Sequence, residues 1–397
     1  MTASVSSDTR RRRELPPGWS MVRFGDVVRQ VKDKADPETS GLERYVAGEH
    51  MDSNDLRLRR WGLIGDGYLG PAFHRHFHRG QVLYGSRRTY LRKVAVADFE
   101  GICANTTFVG TPSAEDLSPA YLPYVMQAEA FHAHSMRESK GSVNPYINWS
   151  DLTWYEFPLP PIERQVEVAA LLDAGRDYVE RLLQARAATA PVASAILRDA
   201  VEDAAAWTTY EEVTSTARAG GTPSRARDGN FGGAVPWLKS GEVTGDNIAV
   251  ADESLTQEGL DASSAWLVPA GAVVVAMYGA GETRGKVGRL TRPMATNQAV
   301  LALLHDPEKT DADFFYRWLA SRTENLRARA AGAVQPNLSK KLVLEEPFPA
   351  LPLARQRAVA TALNECAVTE SALDGQTAAT RQMLAQLRES LIGGHEA

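Results

Sequence analysis

The sequence predicts two mixed α/β (α+β) globular blocks joined to two long helices that can pair, the whole arranged as an internal repeat. Three observations carry this expectation. One segment recurs at a fixed offset, a strand-and-turn block precedes each copy, and a long helical stretch follows each copy. Phe157 to Asp173 reads FPLPPIERQVEVAALLD, and 191 residues later Phe348 to Asn364 reads FPALPLARQRAVATALN. Phenylalanine, two prolines, arginine, glutamine, valine, alanine and leucine are identical in the two copies. The register extends upstream, with Gly141–Pro145 over Gly332–Pro336 and Gly80–Leu83 over Gly271–Val274. A repeat of this kind means two copies of one fold unit.

The elements follow in order. Residues 1–14, with the arginine run Arg10 to Arg13, read as a disordered tail, since no apolar segment follows to make a signal peptide. The blocks at 15–157 and 207–348 are rich in Gly, Pro and β-branched residues, with buried-strand runs such as Ala272 to Met277. Each ends with a helix candidate, Tyr121–Met136 and Asp313–Ala330. Proline-rich turns then open helical spacers at 158–206 and 349–397, proline at a first helical turn costing no hydrogen bond. Val168, Leu172, Val179 and Leu182 on the first helix, and Val359, Leu363, Leu373, Leu384 and Leu387 on the second, form heptad-like seams. Both seams turn polar midway, and Pro191 is expected to interrupt the first helix or cap a second one. Helices over 162–190 and 353–391 would be roughly 44 and 58 Å long at ~1.5 Å per residue. That is about one to one and a half turns of B-DNA, enough to keep two blocks on separate half-sites.

Composition excludes several classes. Hydrophobic content of 44% and charged content of 23% are those of a globular chain, and 397 residues suffice for two domains. No stretch approaches ~20 apolar residues, so no membrane span is expected. Cys103 and Cys366 match no metal or redox spacing, which fits a reducing cytoplasm. The net charge of -5 advertises no nucleic acid by itself, so positive charge has to be concentrated locally. It is: between residues 57 and 93 lie Arg57, Arg59, Arg60, Arg75, Arg79, Arg87, Arg88, Arg92 and Lys93 against Asp66 alone, interleaved with aromatic residues. The second block carries a thinner set, Arg225, Arg227, Lys239, Arg284 and Lys286 among them. Such cations suit phosphates and guanine edges, although a merely solvated charged face has the same composition.

A series of short motifs runs in order along the chain. They begin with Leu15-Pro16-Pro17-Gly18-Trp19 and Phe24-Gly25-Asp26-Val27. Gly220-Gly221-Thr222-Pro223-Ser224 and Val235-Pro236-Trp237-Leu238-Lys239-Ser240-Gly241-Glu242 open the second block. Gly285-Lys286-Val287-Gly288, Thr296 to Val300 and Gln335 to Ser339 follow. In this order the motifs resemble those of the specificity subunits of Type I restriction–modification systems. The resemblance implies two target-recognition domains, each reading half of a bipartite, asymmetric site in double-stranded DNA. It also implies that the two helices pack antiparallel as a ruler and bind two copies of a DNA adenine methyltransferase subunit. A restriction/translocase subunit would join for cleavage. The alternative is an interaction scaffold in another phage-defence assembly that does not read sequence.

No catalytic site of the chain's own is expected, nor a cofactor. The phosphate-loop pattern is absent, and Gly279 to Gly285 imitates a nucleotide loop without its strand–helix context. Asn144-Pro145-Tyr146 resembles a methyltransferase motif but lacks its second proline, and reads as a turn. His74, His76 and His78 share a strand face, yet no cysteine or carboxylate is near in sequence and Arg75 and Arg79 would oppose a cation, so no metal is expected.

Overall fold

The computed structural model describes residues 15–202, 204–245, 247–279, 283–331 and 337–393. The expected tail with its arginine run, and Gly332–Pro336, lie outside these residues. The chain divides into two compact units, residues 1–183 with 375–397, and residues 184–374.

In the first unit, strand Ser20–Arg23 pairs antiparallel with Glu156–Leu159, placing Val22 opposite Phe157. Beyond this neck lies an antiparallel sheet in the order Val28–Val31, Thr107–Pro112, Val82–Gly85, Val94–Val96. A second sheet runs Gly62–Leu63, Arg44–Val46, Gly101–Ala104, Phe73–Phe77, with its middle pair parallel. Strand Val82–Gly85 is buried on both sides, which is why it reads as an apolar run. Val82 and Tyr84 enter one core and Leu83 the other, as a period of two requires.

The second unit repeats this plan. Its neck pairs Trp207–Thr209 with Pro347–Pro349, Thr208 opposite Phe348. Its antiparallel sheet runs Thr214–Ala219, Val300–His305, Val273–Ala276, Val287–Arg289. Val273 and Val275 enter one core, Val274 and Ala276 the other. The smaller sheet has three strands, Glu253–Leu255, Phe231–Leu238 and Ala295–Thr296, again with one parallel pair.

The repeated Phe-Pro…Gln segment has the same task in both units. Gln165 is fully buried; its Oε1 accepts from the Ser118 N–H at 2.8 Å and its amide donates to the carbonyls of Asp116 and Pro160. Gln356 accepts from Thr310 Oγ1 and the Asp311 N–H and donates to the carbonyls of Lys309 and Leu351. Each glutamine satisfies the chain entering its block's late helices, which explains its identity in both copies. Those late helices are each split in two: Leu122–Gln127 and Glu129–Arg137 are separated at Ala128, whose backbone is extended, and Ala312–Ser321 and Thr323–Ala331 at Arg322.

Two long helices follow the necks, Ile162–Glu202 and Leu353–Ile392. They are antiparallel: Arg186 pairs with Asp374 at 3.3 Å, and three residues on Thr189 donates to Glu370, four residues back. These polar partners account for Arg186 and Thr189 in the polar midsection of the first seam. In the first unit Val168, Ala169 and Leu172 share a core with Leu384, Leu387, Leu391 and Ile392. Gly175 lets them pack closely, because a Cβ there would stand 2.2 Å from a methyl carbon of Leu384 and that side chain would have to shift. Val179 and Leu182 are also buried. In the second unit Val359, Ala360 and Leu363 pack with Ala193, Ile196 and Leu197, while Leu373 is half-buried.

The expected interruption at Pro191 does not occur: the helix runs unbroken through it. Proline removes one hydrogen bond, to the carbonyl of Ala187, and Ala187 is exposed, so water can satisfy that carbonyl.

Candidate nucleic-acid interface

In the first unit the cationic stretch divides into internal and outward-facing members. Arg57 donates to Asp177 at 2.5 Å and lies 3.6 Å from Glu180. Arg59 bonds Asp55 at 2.9 Å and Glu180 at 2.8 Å, and this hydrogen bond holds the Glu180 carboxyl below its ordinary range. Both arginines therefore fasten the block to the first long helix. Arg60 pairs with Asp52, Arg92 grips Glu129 through two bonds of 2.6 and 2.8 Å, and Lys93 donates to the Gly48 carbonyl. Arg75 lies opposite Cys103 in its ladder, with Nε and Nη1 buried and unpartnered among the described residues.

Arg79, Arg87 and Arg88 are exposed and hold no ion pair among the described residues. Arg88 and Arg92 have φ of 51° and 50°, a left-handed conformation that is uncommon for non-glycine residues, on either side of the short turn Thr89–Leu91. The strain persists because the ends are held: the Arg88 N–H donates to the Pro145 carbonyl at 2.5 Å, and the Arg92 side chain is locked on Glu129. The result is a rigid corner that turns Arg87 and Arg88 into solvent. A groove of about 1180 Å³ opens elsewhere on this unit, between residues 34–43 and 63–74, with Tyr68 92% exposed on its wall. Arg44, outside the counted stretch, sits 4.7 Å from the ring centre of Trp61 and 5.1 Å from that of Phe99. Nothing in the local sequence signals that stacking.

In the second unit the motifs converge. Trp237 Nε1 donates to the Gly221 carbonyl at 3.0 Å, the Asn297 N–H donates to the Leu238 carbonyl at 3.0 Å, and Thr222 bonds Gln298. Gly220 admits no side chain, since a Cβ would fall 1.9 Å from the Thr296 carbonyl oxygen. Segments separated by some 75 residues are thus one packed corner. Arg225 and Lys239 both bond Glu253, at 2.8 and 2.9 Å, keeping that carboxyl below and the Lys239 amine above their ordinary ranges. Arg225 also stacks 4.6 Å over Phe231. Arg227 is exposed without an ion pair among the described residues, and Lys286 is half-buried. Arg284 is half-buried too, and its carbonyl accepts from Arg327 Nε at 2.8 Å. Residues 280–282 of the glycine-rich loop lie outside the described residues.

Each unit therefore presents exposed cations on a loop scaffold, a design suited to a polyanion. Among the described residues no helix is long and apolar enough to cross a membrane. Residues 209–371 match the Type I restriction modification DNA specificity domain. The chain is 28% identical over 172 residues to the Type I restriction enzyme EcoDI specificity subunit of Escherichia coli, covering 42% of this chain and 37% of that protein. It thus spans little more than a third of the length of that relative. A solved structure from a study of complex assembly and conformational transition of the type I R-M system shares the fold. That match has a TM-score of 0.65, 18% identity, 96% of this chain and 100% of the other. So does the Type I restriction–modification S subunit from M. genitalium, with TM-score 0.58, 14% identity, 96% and 98% coverage.

The fold is that of two solved proteins of Type I restriction–modification systems, and the second unit carries the match to their DNA specificity domain. Over residues 209–371 the chain is similar to the DNA specificity domain of Type I restriction–modification systems, and part of it is similar to a Type I specificity subunit.

Proposed function

We propose that this chain reads double-stranded DNA as the recognition subunit of a Type I assembly, each unit taking one half of a bipartite, asymmetric target. On this reading 15–157 and 207–348 are the target-recognition domains, and the helical segments 158–206 and 349–397 set the unread gap through their seams. The chain would position two copies of a DNA adenine methyltransferase subunit and a restriction/translocase subunit, working in the cytoplasm. Its own contribution is recognition and orientation, so it needs no cofactor, and bond-making belongs to its partners. The outward-facing cations, Arg79, Arg87 and Arg88 in one unit and Arg227 in the other, would meet DNA, together with the half-buried Lys286. Arg57, Arg59 and Arg92, by contrast, serve it indirectly by holding the block in place.

The observation that carries this reading is the duplication itself. One sheet plan, closed by one kind of neck, is built twice, and one copy matches a DNA specificity domain. Two diverged copies on one chain are what an asymmetric two-part target requires.

The test is binding of the full chain to a pool of random-sequence duplexes at rising salt. Nonspecific phosphate binding weakens steeply with salt, whereas base readout keeps its preference. The expected outcome is a retained consensus in two blocks around a fixed gap. Equal affinity for all sequences at every salt concentration would overturn the proposal.

A further inference from the structure

The strand Phe73–Phe77 and the residue after it put His76 and His78 on one face, two positions apart. Sequence offers them no third ligand, but the sheet does. Phe77 lies opposite Gly101 in the antiparallel ladder with Gly101–Ala104, so Glu100, one residue before that strand, comes up beside the two imidazoles. Its Oε1 stands 2.7 Å from His76 Nε2 and 3.1 Å from His78 Nδ1, and the two rings are 4.3 Å apart. His74 is not a member: its Nδ1 is bonded to the Pro71 carbonyl.

We propose that His76, His78 and Glu100 form a binding site for a borderline divalent metal ion of the zinc type. Two imidazole nitrogens and one carboxylate oxygen, all within 4.8 Å of one another, are a donor set that such an ion takes. Ligands on one zinc ion at ~2.0–2.1 Å stand roughly 3.3 Å apart, so Glu100 needs to draw back from the two imidazoles by only about half an ångström. The scaffold is firm, since Phe77 and all of Gly101–Ala104 are buried. The objection that neighbouring arginines repel a cation weakens in the structure. Strand alternation sends Arg75 to the opposite face, toward Cys103, and leaves Arg79 exposed to solvent. Glu100 is half-exposed and His78 nearly so, which leaves the remaining coordination positions to water or an incoming oxygen ligand.

The experiment is a zinc titration of the full chain, carried out with Cys366→Ser so that the partly exposed thiol does not compete. One equivalent is expected to bind, more tightly at pH 7.5 than at pH 6 because the metal displaces protons from imidazole. Affinity should fall about tenfold or more in His78→Ala and in Glu100→Gln, and stay unchanged in His74→Ala. Cobalt substituted at the site should give visible absorption that His78→Ala abolishes. Absence of stoichiometric binding, or equal binding by His78→Ala and Glu100→Gln, overturns the assignment. His78 is exposed enough that its loss leaves the fold intact.

Discussion

Arg87 and Arg88 owe their position to a backbone cost. A left-handed arginine is uphill by about 1–3 kcal/mol, and here it is held by the Pro145 carbonyl and by the Arg92–Glu129 pair. Reversing both charges, Arg87→Glu with Arg88→Glu, should weaken DNA binding about tenfold or more and lower the salt slope by about two counterions. Unchanged affinity at moderate salt would remove this corner from the interface. His132 makes a second prediction at this scale. It is completely buried, and both ring nitrogens lack a partner among the described residues. Burial first, then the charges of Arg92 and Arg388, lower its pKa from 6.5 to about 4. The folded state therefore binds fewer protons than the unfolded chain between these values, so this stability is full above pH 6.5 and is lost as pH falls toward 4. Urea melts at pH 7 and pH 5 should differ by about 2 kcal/mol on this account, and His132→Leu should flatten that difference.

The long helices were legible from the repeat, the seams and the proline-rich turns, because helical burial imposes a period that a sequence displays. Pro191 was misleading. A proline in a helix costs least where the released carbonyl can bond water, and the exposure of Ala187 is decided by the tertiary environment. The split of each late helix was equally hidden, since no proline or glycine stands at Ala128 or Arg322. If the helices measure the gap between half-sites, deleting four residues within 176–183 removes about 6 Å, close to two base pairs. The recognised gap should shorten by about two base pairs, or assembly with the partners should fail. A full-strength complex on the original gap would defeat the ruler.

For the whole molecule, the important fact is modularity. Each compact unit contains one block, its neck and a stretch of both long helices, with its own cores. Replacing residues 15–157 with the corresponding block of a related subunit should therefore change one half of the recognised sequence and leave the other. Selection of bound duplexes reads this directly, and altered recognition in both halves would refute the modular reading.

By itself the sequence determined the duplication, the two blocks, the helical stretches and the family resemblance, because these rest on identities and periodicities that lie along the chain. Only the tertiary structure decided which cations face outward. Nine basic residues between 57 and 93 look alike in one dimension, but Asp177, Glu180 and Glu129 neutralise some of them from positions some 35 to 125 residues away. The same holds for Glu100 and the histidines, since strand pairing, not sequence distance, sets which ligands meet.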